Sequence, residues 1–360
     1  MTGSSPDSPK SLPPAAVAYL FLTEKTLPLA PAWRVYFDGC PEGSYTVHIH
    51  AQRTSAAPPE LQEAKMVGDP AQGSLRFRYS MQEAMLKLYR DAAATTIPDG
   101  YRPNWAQMLS DSCAPVLSCA RYHELLQARQ GQSLFRGHSA GGWYASPAHW
   151  PAGFQAQQWF WQSQWCTLWM EHARMLLAHE VENFELWKNS GTPDEYYTIN
   201  ILSALGANVT LDGGLTKVSH GYGAKPQGKG SGGHPGLITC STTGVHLLYV
   251  DSESGVEDTP TSAMHVHQQD LVQARTEMVA ATDNTQLFQR VRAHQLTIDE
   301  MPPDARAEFD RLMRDAATEG YAFARKFAPA CVELIAANAR AQRVEQSSHA
   351  TRKEVRAYVT

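Results

Sequence analysis

Residues 15–22, which read Ala-Ala-Val-Ala-Tyr-Leu-Phe-Leu, predict the fold class of this chain. The run has the length of one β-strand, and continuous rather than alternating apolar character is typical of a strand buried on both faces of a parallel sheet. Residues 29–37 have the pattern of a short helix, and residues 45–50 read Tyr-Thr-Val-His-Ile-His, a β-branched and aromatic strand sequence. This order predicts an α/β sandwich that binds ligands at the carboxyl ends of its strands, near Thr23 and His50.

Further elements follow along the chain. The sequence Thr192-Pro193 predicts a helix that starts with Thr192 as its N-cap and extends over residues 196–205. Residues 157–180 fit either a helix or a strand followed by a helix, because they combine helical spacing with a high density of aromatic residues. The other predicted helices cover 81–93, 122–128, 303–315 and a last segment ending near 337, and the other predicted strands cover 105–109 and 246–250.

The amino-acid composition excludes several classes of protein. The 360 residues are 43% apolar and 19% charged, and the formal net charge is −5, which excludes a disordered chain, a coiled coil and an electrostatic nucleic-acid binder. Six cysteines without a CxxC pair argue against a zinc site and leave room for one or two disulfides. Neither a membrane span nor an export signal is visible. We expect a disordered leader at 1–14, a Gly-rich insertion at 211–244 and a polar tail at 341–360.

Several residues have the chemical character of a functional site. Glu195 and Asp194 lie in the first turn of a predicted helix, where they either complement the helix dipole or supply a general base. Arg325 and Lys326 are adjacent cations within an apolar stretch, and a buried cation requires an anionic partner. That partner is either a side chain of an ordinary ion pair or a bound diphosphate.

Other motifs are weaker. Residues 137–141 fit the GxSxG nucleophile elbow, but they lack a full preceding strand and a following helix, so a catalytic Ser139 is disfavoured. The histidines in and near the Gly-rich insertion lack a metal-binding spacing. The chain contains no Asp-x-Asp pair. If it binds a nucleotide diphosphate, cations such as Arg325 and Lys326 must take the place of a metal.

Six blocks of the sequence occur in the order of a known family, and together they resemble the Core-2/I-branching β-1,6-N-acetylglucosaminyltransferases, most of all their plant and algal relatives. The likeness spans about residues 15–338, and the collinear set is specific where each block alone is weak. The blocks are Ala-Tyr-Leu-Phe-Leu-Thr with Leu-Pro-Leu (18–29), Val-His-Ile-His-Ala (47–51), Ser-Asp-Ser-Cys-Ala-Pro (110–115), Ser-Gln-Trp-Cys with His-Ala (163–173), Pro-Asp-Glu-Tyr-Tyr (193–197) and Phe-Ala-Arg-Lys-Phe-Ala-Pro (323–329).

The resemblance implies a single-domain, GT-A-like, Rossmann-type α/β fold over residues 15–340. It implies an inverting transfer of a sugar, GlcNAc in the family, from a UDP-sugar to a hydroxyl of a glycan or glycoprotein acceptor. No metal or other cofactor is expected, and no nucleic acid. Glu195 falls on the family's general base and Lys326 on its diphosphate contact. Arg275, Arg290 and Arg292 are candidates for a second family cation.

The remaining site residues form two groups by the same resemblance. Donor binding is expected from Leu22, Thr23, His50, Arg325 and Lys326, where His50 replaces an Asp of the animal members. The acceptor side is expected from Asp111, Cys113, Trp165 and Asp194. A departure from the family is Val250-Asp251-Ser252, because relatives carry Trp at the position of Ser252. The family's location implies the Golgi membrane.

Alternatives remain open. The chain could be a catalytically silent, carbohydrate-binding relative, or the same fold could use UDP-xylose or UDP-glucuronate. Six of nine tryptophans lie within residues 143–169. The collinear blocks favour a strand over 159–166 in the middle of the sheet and a helix over 167–180. We expect Trp165 to stack on a sugar, Trp169 to lie in the core, and Trp143 and Trp150 to line the acceptor groove.

Overall fold

The apolar run near the start of the chain forms the central strand, as predicted. In the computed structural model, β1 (Val17–Thr23) is buried along its whole length. It pairs in parallel with β2 (Tyr45–Ala51) on one side and with β4 (Trp105–Ser110) on the other. Helix α1 (Ala30–Phe37) connects β1 to β2. The predicted α/β fold with a largely parallel sheet is therefore confirmed.

The structure describes residues 15–24, 26–54, 56–69, 79–97, 102–139, 159–190, 192–218, 236–241, 244–249, 303–325, 327 and 331–344. Residues 217, 218, 236–241, 244–249, 303–308, 311, 312 and 325 are described by their backbone alone. The predictions for the leader 1–14, most of the insertion 211–244, Lys326, Arg275, Arg290, Arg292, Ser252, Trp143, Trp150 and residues 345–360 lie outside the described residues.

The remaining helices and strands complete a sandwich around this sheet. The helices are α2 (Tyr79–Ala94), α3 (Cys119–Gln127), α4 (Met170–Ala178), α5 (Glu180–Trp187), α6 (Tyr197–Ala204), α7 (Pro303–Thr318) and α8 (332–344). The strands are β3 (Lys65–Met66), β5 (Ala114–Pro115), β6 (Ser133–Leu134), β7 (Gly137–Ser139), β8 (Phe160–Gln162), β9 (Thr167–Trp169), β10 (Val209–Thr210), β11 (Thr216–Val218), β12 (Gly236–Ser241), β13 (Gly244–Tyr249) and β14 (Phe323–Arg325).

Seven strands form the central sheet in the order β10-β6-β9-β4-β1-β2-β3. β9 is antiparallel to both of its neighbours, β4 and β6, so β6 points in the same direction as β4. The carboxyl ends of β1, β2, β4 and β6 therefore share one edge of the sheet. The small sheet β11-β14-β5 is connected to this sheet by the short turn between β4 and β5, and in the pair β7-β8 the Gly137 amide donates to the Leu211 carbonyl oxygen just after β10.

The alternation of side chains along β1 divides the core into two layers. Val17, Tyr19 and Phe21 pack on one face with α1, α3 and the carboxyl-terminal helices, and Ala18, Leu20 and Leu22 pack on the other with α2, α4 and α6. Successive side chains of a strand point to opposite faces, so an apolar run without alternation fills both layers. This packing explains why the unbroken apolar run predicts a strand that is buried on both faces.

The tryptophan-rich segment differs from its prediction. The strand in the central sheet is β9 (Thr167–Trp169), whereas residues 159–166 contribute only β8 (Phe160–Gln162) to the separate β7-β8 pair. Trp159 stacks on Trp187 instead, with ring centroids 5.3 Å apart. The rings of Trp159 and Trp187 therefore bury their surface against one another, and the residues after Cys166 enter the sheet.

The turn at Thr192 also differs from its prediction. Thr192 does not cap a helix with its side chain; its φ of 48° is left-handed, and residues Pro193–Glu195 form a short 3-10 helix before α6. A β-branched residue in this conformation is strained, and such strain persists only where the surrounding structure over-determines it. The structure also extends the last helix to residue 344, beyond the predicted end near 337.

A disulfide joins Cys40, just after α1, to Cys119 at the start of α3. Cys119 Sγ lies 3.4 Å from His123 Nε2, and the Tyr19 hydroxyl lies 3.3 Å from the same nitrogen. Burial lowers the pKa of His123 from 6.5 to about 4. His123 is therefore neutral in the folded protein at pH 7.

This burial predicts a loss of stability in mild acid. The unfolded chain protonates His123 near its ordinary pKa of 6.5, whereas the folded chain resists protonation down to about 4. The contribution of the neutral His123 ring to the stability of the folded chain is therefore present above about pH 6.5, and it is lost as the pH falls from there toward 4. Between pH 7 and pH 5 the free energy of unfolding should fall by about 2 kcal/mol more in the wild type than in His123→Gln. Urea denaturation at both pH values measures this difference, and equal losses in the two proteins would contradict it.

Candidate active site

Three of the predicted donor-binding residues meet at the carboxyl edge of the sheet. Leu22 is opposite His50 in the β1–β2 register and opposite Ser110 in the β1–β4 register. Thr23 ends β1, and its hydroxyl donates to the His50 carbonyl oxygen at 3.5 Å. Because these strands are parallel, the edge is the place where α/β sheets bind ligands.

His50 is fixed in one tautomer by its environment. Its Nδ1 lies 2.9 Å from the Val67 carbonyl oxygen, which can only accept, so Nδ1 carries the proton and Nε2 holds a lone pair. Burial lowers the pKa of His50 and so favours the neutral ring. Gly68 has a φ of +84°, and a Cβ there would lie 2.9 Å from Nδ1, so a glycine is required where the chain crosses the ring. The side chain therefore presents an acceptor.

The segment after β4 forms a tight polar turn. The Ser110 amide donates to Cys113 Sγ at 3.3 Å, and the Ser112 amide donates to Ser110 Oγ at 3.3 Å. Cys113, which the family resemblance placed on the acceptor side, is completely buried. Asp111 in the same turn is half-buried.

The family block at residues 323–329 reaches this turn. β14 pairs in an antiparallel manner with β5, and the Phe327 amide donates to the Ser112 carbonyl oxygen at 2.9 Å. The backbone of Arg325 therefore lies in the strand next to the turn, while Lys326 is outside the described residues. The structure brings this block to the edge that carries Leu22, Thr23 and His50.

Glu195 lies at the end of the short 3-10 helix, half-buried, in contact with a tryptophan. The Trp161 indole nitrogen donates a hydrogen bond of 3.1 Å to Glu195 Oε2. Asp194, the preceding residue, is 5% exposed, and its carbonyl oxygen accepts from the Gln162 side chain at 3.4 Å. Glu195 is thus the more accessible of the two adjacent acids, as a base that contacts a substrate requires.

Asn200 holds β8 against the turn that carries Glu195. Its side chain accepts from the Phe160 amide at 3.0 Å and donates to the Phe160 carbonyl oxygen at 2.8 Å and to the Tyr196 carbonyl oxygen at 2.7 Å. Trp159 stacks on Tyr196 from the other side, with ring centroids 5.2 Å apart. The positions of Trp161 and Glu195 are therefore set by flanking residues that are themselves fixed.

The tryptophan that contacts Glu195 is Trp161 and not the predicted Trp165. Trp165 is 7% exposed and packs in the core layer that contains α2 and α4, so its ring has little surface to offer a sugar. Trp161 is half-buried, and sequence analysis did not single it out from the cluster. Only its contact with Glu195, 34 residues away in the chain, distinguishes it. Trp169, expected in the core, is half-buried and packs edge-on against Trp105.

Ser139 does not have the geometry of a nucleophile elbow. It ends β7, pairs in an antiparallel manner with Phe160, and is exposed. A nucleophile elbow instead places its serine at a strand-to-helix turn above a sheet. Among the described residues, the potential metal ligands that come together are Cys40, Cys119 and His123, but the disulfide occupies both sulfurs.

The contact between Trp161 and Glu195 supports a prediction. Trp161→Phe keeps most of the ring but removes the donor, so the carboxylate loses the group that orients it. We expect the kcat of the reaction that depends on Glu195 to fall about tenfold, because a hydrogen bond to a charged group contributes about 1.5–3 kcal/mol. Steady-state kinetics measures the effect, and an unchanged kcat would show that the indole does not position Glu195.

Fold and site together define an α/β protein with one polar ligand edge and a fixed, half-buried carboxylate. Residues 17–218 match the family described as Branch, Core-2/I-branching enzyme. The match covers more than half of the 360 residues, so the chain belongs to this family and is a glycosyltransferase of the Core-2/I-branching kind.

Other comparisons add little. No curated protein matches the sequence. Among solved structures, 2-C-methyl-D-erythritol 4-phosphate cytidylyltransferase from Thermus thermophilus is similar at 12% identity and a TM-score of 0.32, covering 74% of this chain and all of that one. A similarity this low supports no argument about function. Within the described part of the chain, none of the helices combines the length and the apolar character needed to cross a membrane.

Proposed function

We propose that this chain transfers a sugar, GlcNAc by the family's activity, from a UDP-sugar to a hydroxyl of a glycan acceptor with inversion. The observation that carries the proposal is Glu195, a half-buried carboxylate held by Trp161 within the matched family region. Glu195 takes the proton from the acceptor hydroxyl as its oxygen attacks the anomeric carbon and UDP leaves from the opposite face.

The donor nucleotide is proposed to bind over the carboxyl ends of β1 and β2. Nε2 of His50 is the acceptor in its fixed tautomer, which suits the N3–H donor of uracil. An acidic residue at this position would also accept a hydrogen bond, so His50 is a chemically reasonable substitute for the Asp of animal members. The side chains of Leu22 and Thr23 would form the adjacent wall.

The charge that develops on the leaving diphosphate requires cations. Arg325 and Lys326 are the proposed contacts, since β14 reaches the turn after β4 beside the donor edge. Positively charged side chains can neutralise the charge on a leaving diphosphate and so take the place of a metal ion. We therefore propose metal-independent transfer. Asp111 and Asp194 remain the proposed acceptor-side acids, and Asp194 acts through its buried position beside Glu195.

We propose a location in the secretory pathway, for which the disulfide between Cys40 and Cys119 is the supporting observation. Disulfides persist in oxidising compartments and are rare where thiols are kept reduced. This agrees with the Golgi location that the family implies.

A donor screen tests the proposed function. Purified protein is incubated with a glycan acceptor and UDP-GlcNAc, UDP-xylose or UDP-glucuronate, with and without EDTA, and the glycan product is measured. We expect one donor to give product at an unchanged rate in EDTA. Strict dependence on Mn²⁺ would contradict metal independence. Binding of UDP-sugar and glycan without product would identify a silent carbohydrate-binding protein instead.

A further inference from the structure

Arg136 is a cation at the ligand edge to which the proposed mechanism gives no role. Leu134 of β6 and Gln107 of β4 both pair with Thr167 of β9, so they lie at the same height in the sheet. Arg136 is two residues beyond Leu134 and therefore at about the height of Leu109, next to the end of β4. It lies on the edge that carries the proposed site.

The backbone of Arg136 is held from several directions. Its carbonyl oxygen accepts from the Ser163 amide at 2.7 Å, and the following Gly137 amide donates to the Leu211 carbonyl oxygen at 2.9 Å. A Cβ on Gly214 would lie 2.4 Å from the Arg136 nitrogen, so a glycine is required for this approach. The arginine therefore projects from a fixed point.

The guanidinium of Arg136 lacks an anionic partner within the described part of the chain. Its Nη1 is buried and makes no hydrogen bond among these residues, while its central carbon lies 5.8 Å from the centroid of the Tyr321 ring. Asp212 is opposite Arg136 in an isolated antiparallel bridge, but its side chain is exposed and makes no ion pair with the arginine. Five other arginines of the described chain do pair with carboxylates: Arg34, Arg53, Arg90, Arg121 and Arg174.

An unsatisfied buried donor on a cation is unfavourable, so the position calls for an oxyanion that the described part of the chain does not supply. The planar guanidinium suits a carboxylate or a phosphate, to which it can donate two parallel hydrogen bonds. The guanidinium lies over the Tyr321 ring, an arrangement in which a guanidinium can still donate hydrogen bonds in its own plane.

Arg136 is also linked to Glu195 through the small β7–β8 sheet. His138 pairs with Trp161 across this sheet, and Trp161 donates to Glu195. Arg136 lies two residues before His138, so the side chains of both project from the same side of an extended chain. An anion bound by Arg136 would therefore lie on the side of the β7–β8 sheet that carries Trp161, the partner of Glu195.

We propose that Arg136 and Tyr321 form a substrate-binding subsite that accepts an oxyanion of the substrate. Two sources share this chemistry: the carboxylate of an acidic sugar in the acceptor, and the diphosphate of the donor. The identification of the anion as part of a substrate rests on the proposed function, whereas the presence of an oxyanion site rests on Arg136 alone.

Binding experiments that need no turnover test the proposal. Calorimetric titrations of the wild type, Arg136→Gln and Arg136→Lys use four probes: UDP, uridine, a glucuronate-containing disaccharide and its neutral glucose counterpart. Arg121→Gln is the matched control, because it removes one positive charge from a side chain that is 66% exposed. Thermal melting shows whether each variant is folded, and Arg136→Lys retains the charge if the Gln variant does not fold.

If the anion is the acidic sugar, the affinity for the glucuronate disaccharide should fall at least tenfold in Arg136→Gln and less in Arg136→Lys, with UDP binding unchanged. If it is the diphosphate, the affinity for UDP should fall by this factor while uridine binding stays the same. Affinities for both probes equal to those of Arg121→Gln would overturn the proposal, as would a wild type that binds neither. A wild type that binds an anionic probe through Arg136 but transfers no sugar would instead refute the proposed function.

Discussion

Glu195→Gln should lower kcat for sugar transfer by about a thousandfold, within the range that a general base contributes. The amide of Gln has no basic oxygen to take the acceptor's proton, yet it has the size of the carboxylate. Its oxygen can still accept from the Trp161 indole, so the local structure should be retained. The dissociation constant for UDP should be unchanged, because the proposed role of Glu195 is to act on the acceptor. Product formation in single-turnover experiments and calorimetric titration of UDP measure the two quantities.

Glu182→Gln provides the control for this substitution. Glu182 is on α5 and its side chain is 77% exposed, so the same chemical change there should leave both kcat and UDP affinity at wild-type values. Full transfer activity in Glu195→Gln would show that Glu195 is not the general base. A loss of UDP affinity equal to the loss of activity would indicate that Glu195 acts in donor binding.

Removal of the disulfide between Cys40 and Cys119 should cost about 4 kcal/mol of stability. The two cysteines are 79 residues apart, and the cross-link restricts the unfolded chain by an amount that grows with the length of the closed loop. Urea denaturation of Cys40→Ser/Cys119→Ser against the oxidised wild type measures the difference. Because an entropic cross-link acts on the unfolded chain, the slope of the unfolding free energy with urea should rise as well.

The single variant Cys40→Ala separates the contribution of the cross-link to stability from the contribution of side-chain packing. Cys40 is half-buried, so little packing is lost with its sulfur, whereas Cys119 is 1% exposed in the first core layer. We expect the single variant to lose most of what the double variant loses. A loss under about 1 kcal/mol in both would show that the native contacts near Tyr19 and His123 constrain the chain without the bond.

Local sequence predicts much of the first third of the fold. β1, α1, β2 and α2 lie within two residues of their predicted bounds, and the parallel pairing of β1 with β2 follows from their order. The same reasoning places Thr23 and His50 at one edge. These features depend on apolar patterns within about ten residues, and such patterns are legible without knowing the partner surfaces.

Only one part of the candidate site could be predicted from the sequence. Glu195 could be singled out by resemblance, but its partner Trp161 could not, because six tryptophans fall within 27 residues and local spacing does not separate them. The turn that holds Glu195 begins with a strained Thr192, although its sequence predicts an ordinary helix cap. Here the packing of Trp159 on Tyr196 and the side-chain bonds of Asn200 override the local preference.

Patterns along the chain were enough to define the class of the sheet, the edge that is proposed to bind ligands and the family to which the chain belongs. Packing between distant segments decided which tryptophan meets Glu195, which residues after Cys166 enter the sheet, and the place of Arg136 beside Tyr321. The two kinds of feature differ in how far apart in the chain the residues that determine them lie. Strand and helix patterns arise from neighbouring residues, whereas these contacts join residues far apart in the chain, and their partners are fixed only when the layers pack.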